Sequence, residues 1–235
     1  MISAPDVYGQ ALSDYFYESS YETLWVHTSY GTREEMPVDW FFREPDEFPE
    51  VEQYALSLCQ GKVLDIGAGV GVHVLALQEQ GFDVLALEQS ELCSNIMHDC
   101  GVRQVLTMPY QNYHGPRVDT ILLLMNGIGL VGNIPGLQEF LGWAKHHIQP
   151  EGQLLFDSSD VAYLFDDTPI PTDYYYGEIQ FQYEYREKYG DWFSWLYVDF
   201  NTLVQVAQQE GWEVQQIFED ETQQYLVRLT LSDSR

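Results

Sequence analysis

The sequence predicts an α/β fold, with helices on both faces of a mostly parallel sheet, and three stretches carry that expectation. Lys62 to Leu77, KVLDIGAGVGVHVLAL, passes from a short apolar strand through a glycine turn into a helix. Val118 to Met125, VDTILLLM, is a continuous apolar run of the kind a central parallel strand needs when both faces are covered. Trp212 to Glu219 and Gln223 to Leu231 read as two strands joined by a short reversal, hence an antiparallel pair near the chain's end.

Composition bounds the function. The 235 residues suffice for one large core, so one domain with an embellishment is expected. Acidic residues number 37 against 10 basic ones, a formal charge of −27, and the few Lys and Arg are scattered. A phosphate backbone needs clustered cations, so nucleic acid is not expected as a partner. The same field favours cations mildly, although acidity also serves solubility. Cys59, Cys93 and Cys100 form no C-x-x-C pair and read as small buried residues in a reducing compartment. With no leader pattern and no apolar run of spanning length, a soluble, cytoplasmic protein without a membrane partner is expected.

Along the chain, Ser3 is placed to cap a first helix, with Pro5 and Asp6 in its first turn. Val7, Tyr8, Ala11, Leu12, Tyr15 and Phe16 follow at helical spacing. Glu22 to Ser29 is extended or irregular. MPVDWFFR (36–43) is aromatic and ends on Arg43, whose ordinary role would be pairing with nearby Glu44 or Glu47. Pro49 to Cys59 is an amphipathic helix with Val51, Tyr54, Ala55 and Leu58 inward. The strand Val63 to Ile66 then meets Gly67-Ala68-Gly69-Val70-Gly71. Such a turn lets a ligand approach bare backbone, beside the free N–H groups of a helix N-terminus, so a nucleotide-like cofactor is expected there. A turn with no ligand is the alternative, but three spaced glycines cost a helix start without local benefit. Gly81 ends that helix, and Gly81 to Glu88 is the next strand, closing on a carboxylate.

Ser90 caps a helix reaching Gly101, and Val102 to Thr107 is a third strand. Leu137 to Ile148 is a helix whose His146-His147 point in different directions, which suits the helix dipole and not a metal ion; no metal is expected. Gln153 to Phe156 is a fifth strand, with Asp157-Ser158-Ser159-Asp160 just beyond its end. Residues 161–198 read as an insertion. Ile179, Phe181, Tyr183 and Tyr185 alternate with polar residues, Lys188 to Asp191 turns, and Phe193, Trp195 and Tyr197 alternate on the return. That aromatic face needs the core, a second subunit in a homodimer, or a substrate against it. Asp199 caps a helix over Leu203 to Glu210, ended by Gly211.

The spacing of the glycines discriminates between cofactors. A dinucleotide fingerprint wants G-x-G-x-x-G, and Val72 stands where its third glycine would fall, which argues against a nicotinamide-dependent oxidoreductase. Asp65-x-Gly67-x-Gly69-x-Gly71, with Glu88 closing the next strand, resembles motif I and the following acidic residue of the class I S-adenosylmethionine (SAM)-dependent methyltransferases. VDTILLLMNGIGLVG resembles a bacterial subgroup of that family, which shares the MPVDWFFR-like segment; this widens the resemblance to most of the chain and brings no substrate with it. The resemblance implies a Rossmann-like three-layer sandwich on a seven-stranded, mostly parallel sheet with an antiparallel last strand. It implies SAM as cofactor, itself a net cation. Asp65, Gly67, Ala68 and Gly69 would cradle it, Glu88 with Gln89 would take the ribose hydroxyls, and Arg43 would hold the methionine carboxylate. Met108-Pro109 stands where the family commonly has a carboxylate reading adenine, so Met108 would pack on the base. The family's N-terminal helix commonly covers the cofactor, making Tyr8 and Tyr15 substrate-contact candidates. Asn126-Gly127-Ile128-Gly129 would face the cofactor and is not the Asn-Pro-Pro-Tyr of amino-adenine methyltransferases.

The expected protein is a single domain (1–235): an N-terminal helical cap (1–60), a core (61–160 and 199–235) and an aromatic β-hairpin insertion (161–198). Its expected function is methyl transfer from SAM to an N or O nucleophile of a small molecule. Asn126 and Asp157 are the candidate catalytic residues. Asn126 would hydrogen-bond the cofactor's amino group or the acceptor. Asp157 would orient an amine or take a proton from a hydroxyl, or else simply meet a turn or a backbone N–H. The alternative is a non-catalytic, cofactor-binding or interaction protein acting through its insertion.

Overall fold

A computed structural model describes residues 5–18, 21–166 and 169–232. The Ser3 cap lies outside them. Helix α1 (Val7–Tyr17) starts at Asp6, whose Oδ1 accepts the Gly9 N–H at 2.7 Å. Strands β1 (Leu24–Thr28) and β2 (Glu34–Met36) form an antiparallel pair, and two 3-10 turns lead to α2 (Glu50–Leu58). Tyr54 of α2, expected inward, is 46% exposed; the buried stripe is Val51, Glu52, Ala55 and Leu56. Glu52 turns inward there to meet Arg43 and His73.

Strand β3 (Lys62–Ile66), α3 (Val72–Glu79), β4 (Asp83–Glu88), α4 (Glu91–Asp99) and β5 (Val105–Thr107) follow as parallel crossovers. Strand β5 starts later than expected because Val102 is held by α4, its N–H donating to the Met97 carbonyl at 2.9 Å. Then come β6 (Val118–Leu123), α5 (Ile134–His147) and β7 (Ile148–Ser159). Strand β7 outruns its expected end: Asp157, Ser158 and Ser159 sit within the sheet, paired with Leu226, Tyr225 and Gln224. Strands β8 (Glu178–Tyr185), β9 (Lys188–Tyr189) and β10 (Phe193–Leu196) precede α6 (Phe200–Gln209), β11 (Trp212–Glu219) and β12 (Gln224–Leu231).

The main sheet has seven strands in the order β11-β12-β7-β6-β3-β4-β5, parallel from β7 to β5, with β12 antiparallel to both neighbours. This is the Rossmann-like sandwich expected. Successive residues of a strand face opposite layers. Leu64 and Ile66 join the core under α5 and α6, whereas Val63 and Leu155 join the one under α2 and α3. The strand order reverses between β3 and β6, and ligands of open α/β sheets bind at the carboxyl ends beside such a reversal.

A second, all-antiparallel sheet runs β10-β8-β1-β2, with β9 also on β8. The insertion therefore pairs with the N-terminal segment through β1. Its turn is Arg186–Glu187, both left-handed (φ 49° and 60°), and not Lys188 to Asp191. Lys188 and Tyr189 are already paired with β8 before the chain breaks register at Gly190 and resumes as β10. The inner face of this sheet packs on α1: Tyr183 stacks on Tyr8 at 5.3 Å, and Tyr185 is buried beside Leu12 and Leu24. Cys59 and Cys93 are buried, but Cys100, expected buried, is exposed where α4 ends.

Candidate active site

The glycine turn closes the carboxyl end of β3 onto β4, the Gly67 N–H donating to the Leu87 carbonyl at 2.8 Å. Gly67, Gly69 and Gly71 all have positive φ (72°, 56° and 86°), a conformation that side-chain-bearing residues adopt at a cost. Gly71 is also cramped, since a Cβ there would lie 2.8 Å from Met97 Cγ. At Gly67 and Gly69 a Cβ would meet nothing nearer than Leu130 at 3.6 Å and the Tyr8 hydroxyl at 3.8 Å. These two glycines thus border a small open cradle beneath Tyr8. Ala68, between them, is half-buried against the α2–α3 core.

Glu88 ends β4 beside this cradle. Its Oε2 accepts the Gly69 N–H at 2.9 Å and its Oε1 the Ser90 N–H at 2.8 Å, leaving lone pairs for further donors. Burial raises its pKa, against those backbone bonds. Gln89 follows it into solvent, and the Met108 N–H donates to the Glu88 carbonyl at 2.9 Å, bringing half-buried Met108 to the same edge. Ser90 does double service: it caps α4 through the Cys93 N–H and donates to Asp6 Oδ2, binding the start of α1 to the start of α4. Tyr8 is thereby held over Gly69, between Tyr183 and the edge of Phe41. Tyr15 packs elsewhere, on Tyr21 and Phe42.

Asp65 points to the α2–α3 side. It is 2% exposed, and its Oδ2 has no hydrogen-bond partner. Burial pushes its pKa up to about 6, with nearby His73 opposing and Glu88 adding to the rise. On this side lies a buried ionic chain that the sequence reading missed. Arg43 donates through one nitrogen to both oxygens of Glu52, at 2.9 and 3.1 Å, and Glu52 Oε2 is 2.8 Å from His73 Nε2. Glu52 is held below its ordinary pKa: burial works against ionisation, but the bonds from His73 and Arg43 prevail. Arg43 pairs with neither Glu44 nor Glu47, which close a capping box on each other, and it lies 3.6 Å from Met125 Sδ. The available signal was Leu56: an inward stripe through Val51, Ala55 and Leu56 carries Glu52 inside, whereas one through Tyr54 does not.

Beyond β6 the chain turns through Met125 and Asn126, both left-handed (φ 60° and 53°), a strain that surrounding bonds must hold. Asp157 Oδ2 supplies them, accepting the Asn126 N–H at 2.8 Å and Gln224 Nε2 at 2.7 Å. Asp157 is wholly buried, its Oδ1 is unpartnered, and burial lifts its pKa to about 6. Asn126 Oδ1 in turn accepts the Ser159 hydroxyl at 3.0 Å. Ser159 lines the mouth of a 440 Å³ cavity walled by Tyr30, Tyr163, Ile179 and Tyr197. Trp195 of β10 packs on Gly129, its indole lying where a Cβ there would be. Among the described residues no group of His, Cys, Asp and Glu side chains is placed to hold a metal ion, and no helix is long and apolar enough to cross a membrane.

Comparison with known proteins assigns this architecture. A crystal structure of a SAM-dependent methyltransferase from Bacteroides fragilis, in complex with S-adenosyl-L-homocysteine (SAH), is 38% identical to this chain. The match covers 97% of this chain and 95% of that one, with a TM-score of 0.91. The chain belongs to the SAM-dependent methyltransferases. Two more distant structures share the fold. The CcbJ methyltransferase from Streptomyces caelestis matches with TM-score 0.62 at 12% identity, over 80% of this chain and 94% of that one. The sugar N-methyltransferase KedS8 from Streptoalloteichus sp ATCC 53650 matches with TM-score 0.58 at 12% identity, over 87% and 96%. No protein-family model and no curated protein matches the chain.

Proposed function

We propose that this chain transfers the methyl group of SAM to a nitrogen or oxygen of a small molecule held in the 440 Å³ cavity. The observation that carries the reading is a juxtaposition. The open glycine cradle, the orphaned Oδ2 of Asp65 and the unfilled lone pairs of Glu88 share one sheet edge with Asn126, whose partner Ser159 lines the cavity. These groups fit SAM: an acidic pair for its hydroxyls and ammonium, bare backbone for close approach, and the half-buried Arg43 for its carboxylate.

In this reading Gly67, Ala68 and Gly69 admit the ligand, Glu88 with Gln89 holds the ribose, and Met108 packs on the base. Asp65 meets the amino group, and Arg43, steadied by Glu52 and His73, faces the carboxylate. SAM supplies an already activated methyl group, so alignment and exclusion of water are the main tasks left to the protein. Tyr8 and Trp195 exclude water. Asp157, wholly buried, acts by fixing Asn126 toward the acceptor through the Asn126 N–H. The N-terminal segment and residues 161–198, joined through β1 and β8, act together as the cap over residues 61–160 and 199–235. The scarcity of basic residues supports a small-molecule acceptor over a nucleic acid.

Calorimetry with SAM and SAH tests the placement. The wild-type chain should bind both, and a folded Gly69→Val variant should bind neither, because Val both fills the cradle and resists φ 56°. Unchanged affinity in that variant would put the cofactor elsewhere. Binding without turnover across amine and hydroxyl acceptors would leave a cofactor-binding protein without catalysis.

A further inference from the structure

If the 440 Å³ cavity is the acceptor's place, as proposed above, the chemistry of its walls narrows what enters. Three phenol rings, Tyr30, Tyr163 and Tyr197, line it together with the carboxylate of Glu221, and among the described residues no Lys or Arg lines it. Tyr163 and Tyr30 are exposed, so their rings are open to a ligand, whereas Tyr197 is half-buried deeper in. Burial first, and then Tyr30, Tyr163, Asp157 and Glu34, hold the Tyr197 hydroxyl well above its ordinary pKa, so this wall presents a neutral phenol. A ring face attracts a cation through its quadrupole, and a neighbouring carboxylate adds to that attraction. An anionic ligand would meet the same groups as repulsion with no counter-cation on the walls, and a neutral one would gain only contact area. The chain's formal charge of −27 acts in the same direction at long range.

We infer that this cavity recognises a small organic cation, so that the acceptor class is an amine presented to the protein as its ammonium form, which gives up one N–H proton to water or to the Glu221 carboxylate before its lone pair takes the methyl group and SAH leaves. Ring faces bind alkylated ammonium at least as well as the parent amine, so the same walls also suit the N-methylated product. Rings that line a cavity without packing on one another stay available for this purpose; Tyr197 meets Phe181, which is not among the lining residues.

The test uses the full chain saturated with SAH and three probes of matched shape: choline, its uncharged isostere 3,3-dimethylbutan-1-ol, and anionic 3,3-dimethylbutanoate. Affinities are read by calorimetry or by ligand-observed saturation transfer. Choline should bind about tenfold or more tightly than the alcohol, with the carboxylate weakest. Tyr163→Leu, at a side chain 61% exposed and so without a burden on folding, should remove most of that preference and leave the alcohol unchanged. Tyr163→Phe, which keeps a ring, should retain it. Equal binding of choline and the alcohol, tighter binding of the carboxylate, or no choline binding at tens of millimolar would each overturn the inference. Titration of SAH separates the two readings. SAH bound without a choline preference defeats this inference alone, whereas SAH unbound defeats the methyl-transfer reading and leaves the choline preference to judge the cavity by itself.

Discussion

Asp65→Asn should stabilise the ligand-free protein above pH 6 while weakening SAH. The carboxyl is 2% exposed with an unpartnered oxygen, and burial moves its pKa from an ordinary 3.8 to about 6. The folded state thus keeps the proton longer than the unfolded state. Stability falls as pH rises from about 4 to about 6, and the full penalty, about 3 kcal/mol, persists above that window. The amide makes the same unmet polar demand as the protonated acid but never ionises. The variant should match wild type near pH 4 and exceed it at pH 8 by about 3 kcal/mol, or roughly 6–12 °C in Tm for a chain of this size. Asp157 titrates in the same range, so the wild-type-minus-variant difference, measured by thermal unfolding from pH 4 to 8, isolates Asp65. Equal Tm at pH 8, or a gain that persists undiminished at pH 4, would refute the reasoning. In calorimetry at pH 7.5 the same variant should bind SAH at least about tenfold more weakly, having lost a charge-assisted contact.

Glu88→Gln should weaken SAH by about tenfold or more, since charge-assisted bonds contribute ~1.5–3 kcal/mol each; a loss under about threefold would place the ribose elsewhere. Glu52→Ala leaves Arg43 and His73 buried without their carboxylate and should cost about 3–5 kcal/mol by denaturant unfolding at pH 7. Because the folded Glu52 pKa is depressed, that deficit is complete above its unfolded pKa and should shrink as pH falls through the folded one. Asp157→Asn should keep SAH affinity within a few-fold but slow methyl transfer about 10²-fold; undiminished turnover at every pH would leave proximity as the whole mechanism.

The parts of the molecule that are periodic were legible in the sequence. The glycine turn, the apolar run into β6 and the carboxylate closing β4 announce themselves within a few residues, because local geometry alone dictates them. The ionic chain Arg43–Glu52–His73 was not, since its members are joined by packing of α2 on α3, and a single rotation of the α2 stripe decides whether Glu52 faces water or Arg43. Asp157 meets a backbone N–H, that of Asn126, as one of its expected readings had it, but its place in the sheet was misjudged. The strand signal stops at Phe156 where polar residues begin, whereas β12 extends the pairing to Ser159 and buries the carboxylate. The hairpin turn shifted for a similar reason: Arg186 and Glu187 carry none of the glycine or asparagine that mark left-handed turns.

The pairing of β8 with β1 has a mechanical consequence for the site. One sheet touches both halves of it. Tyr183 of β8 stacks on Tyr8, which overhangs Gly69, while Ile179 of the same strand walls the acceptor cavity. From β10, Trp195 presses on Gly129, three residues beyond Asn126. A displacement of this sheet would therefore reach the glycine cradle and the cavity proposed for the acceptor together. The tie between Asp6 and Ser90 anchors α1 to α4, so the sheet is fastened to the core through the same helix that roofs the cradle. In the proposed reading, an acceptor touching Ile179 would therefore bear on the same strand whose Tyr183 holds Tyr8 over the glycine turn, where water must be excluded.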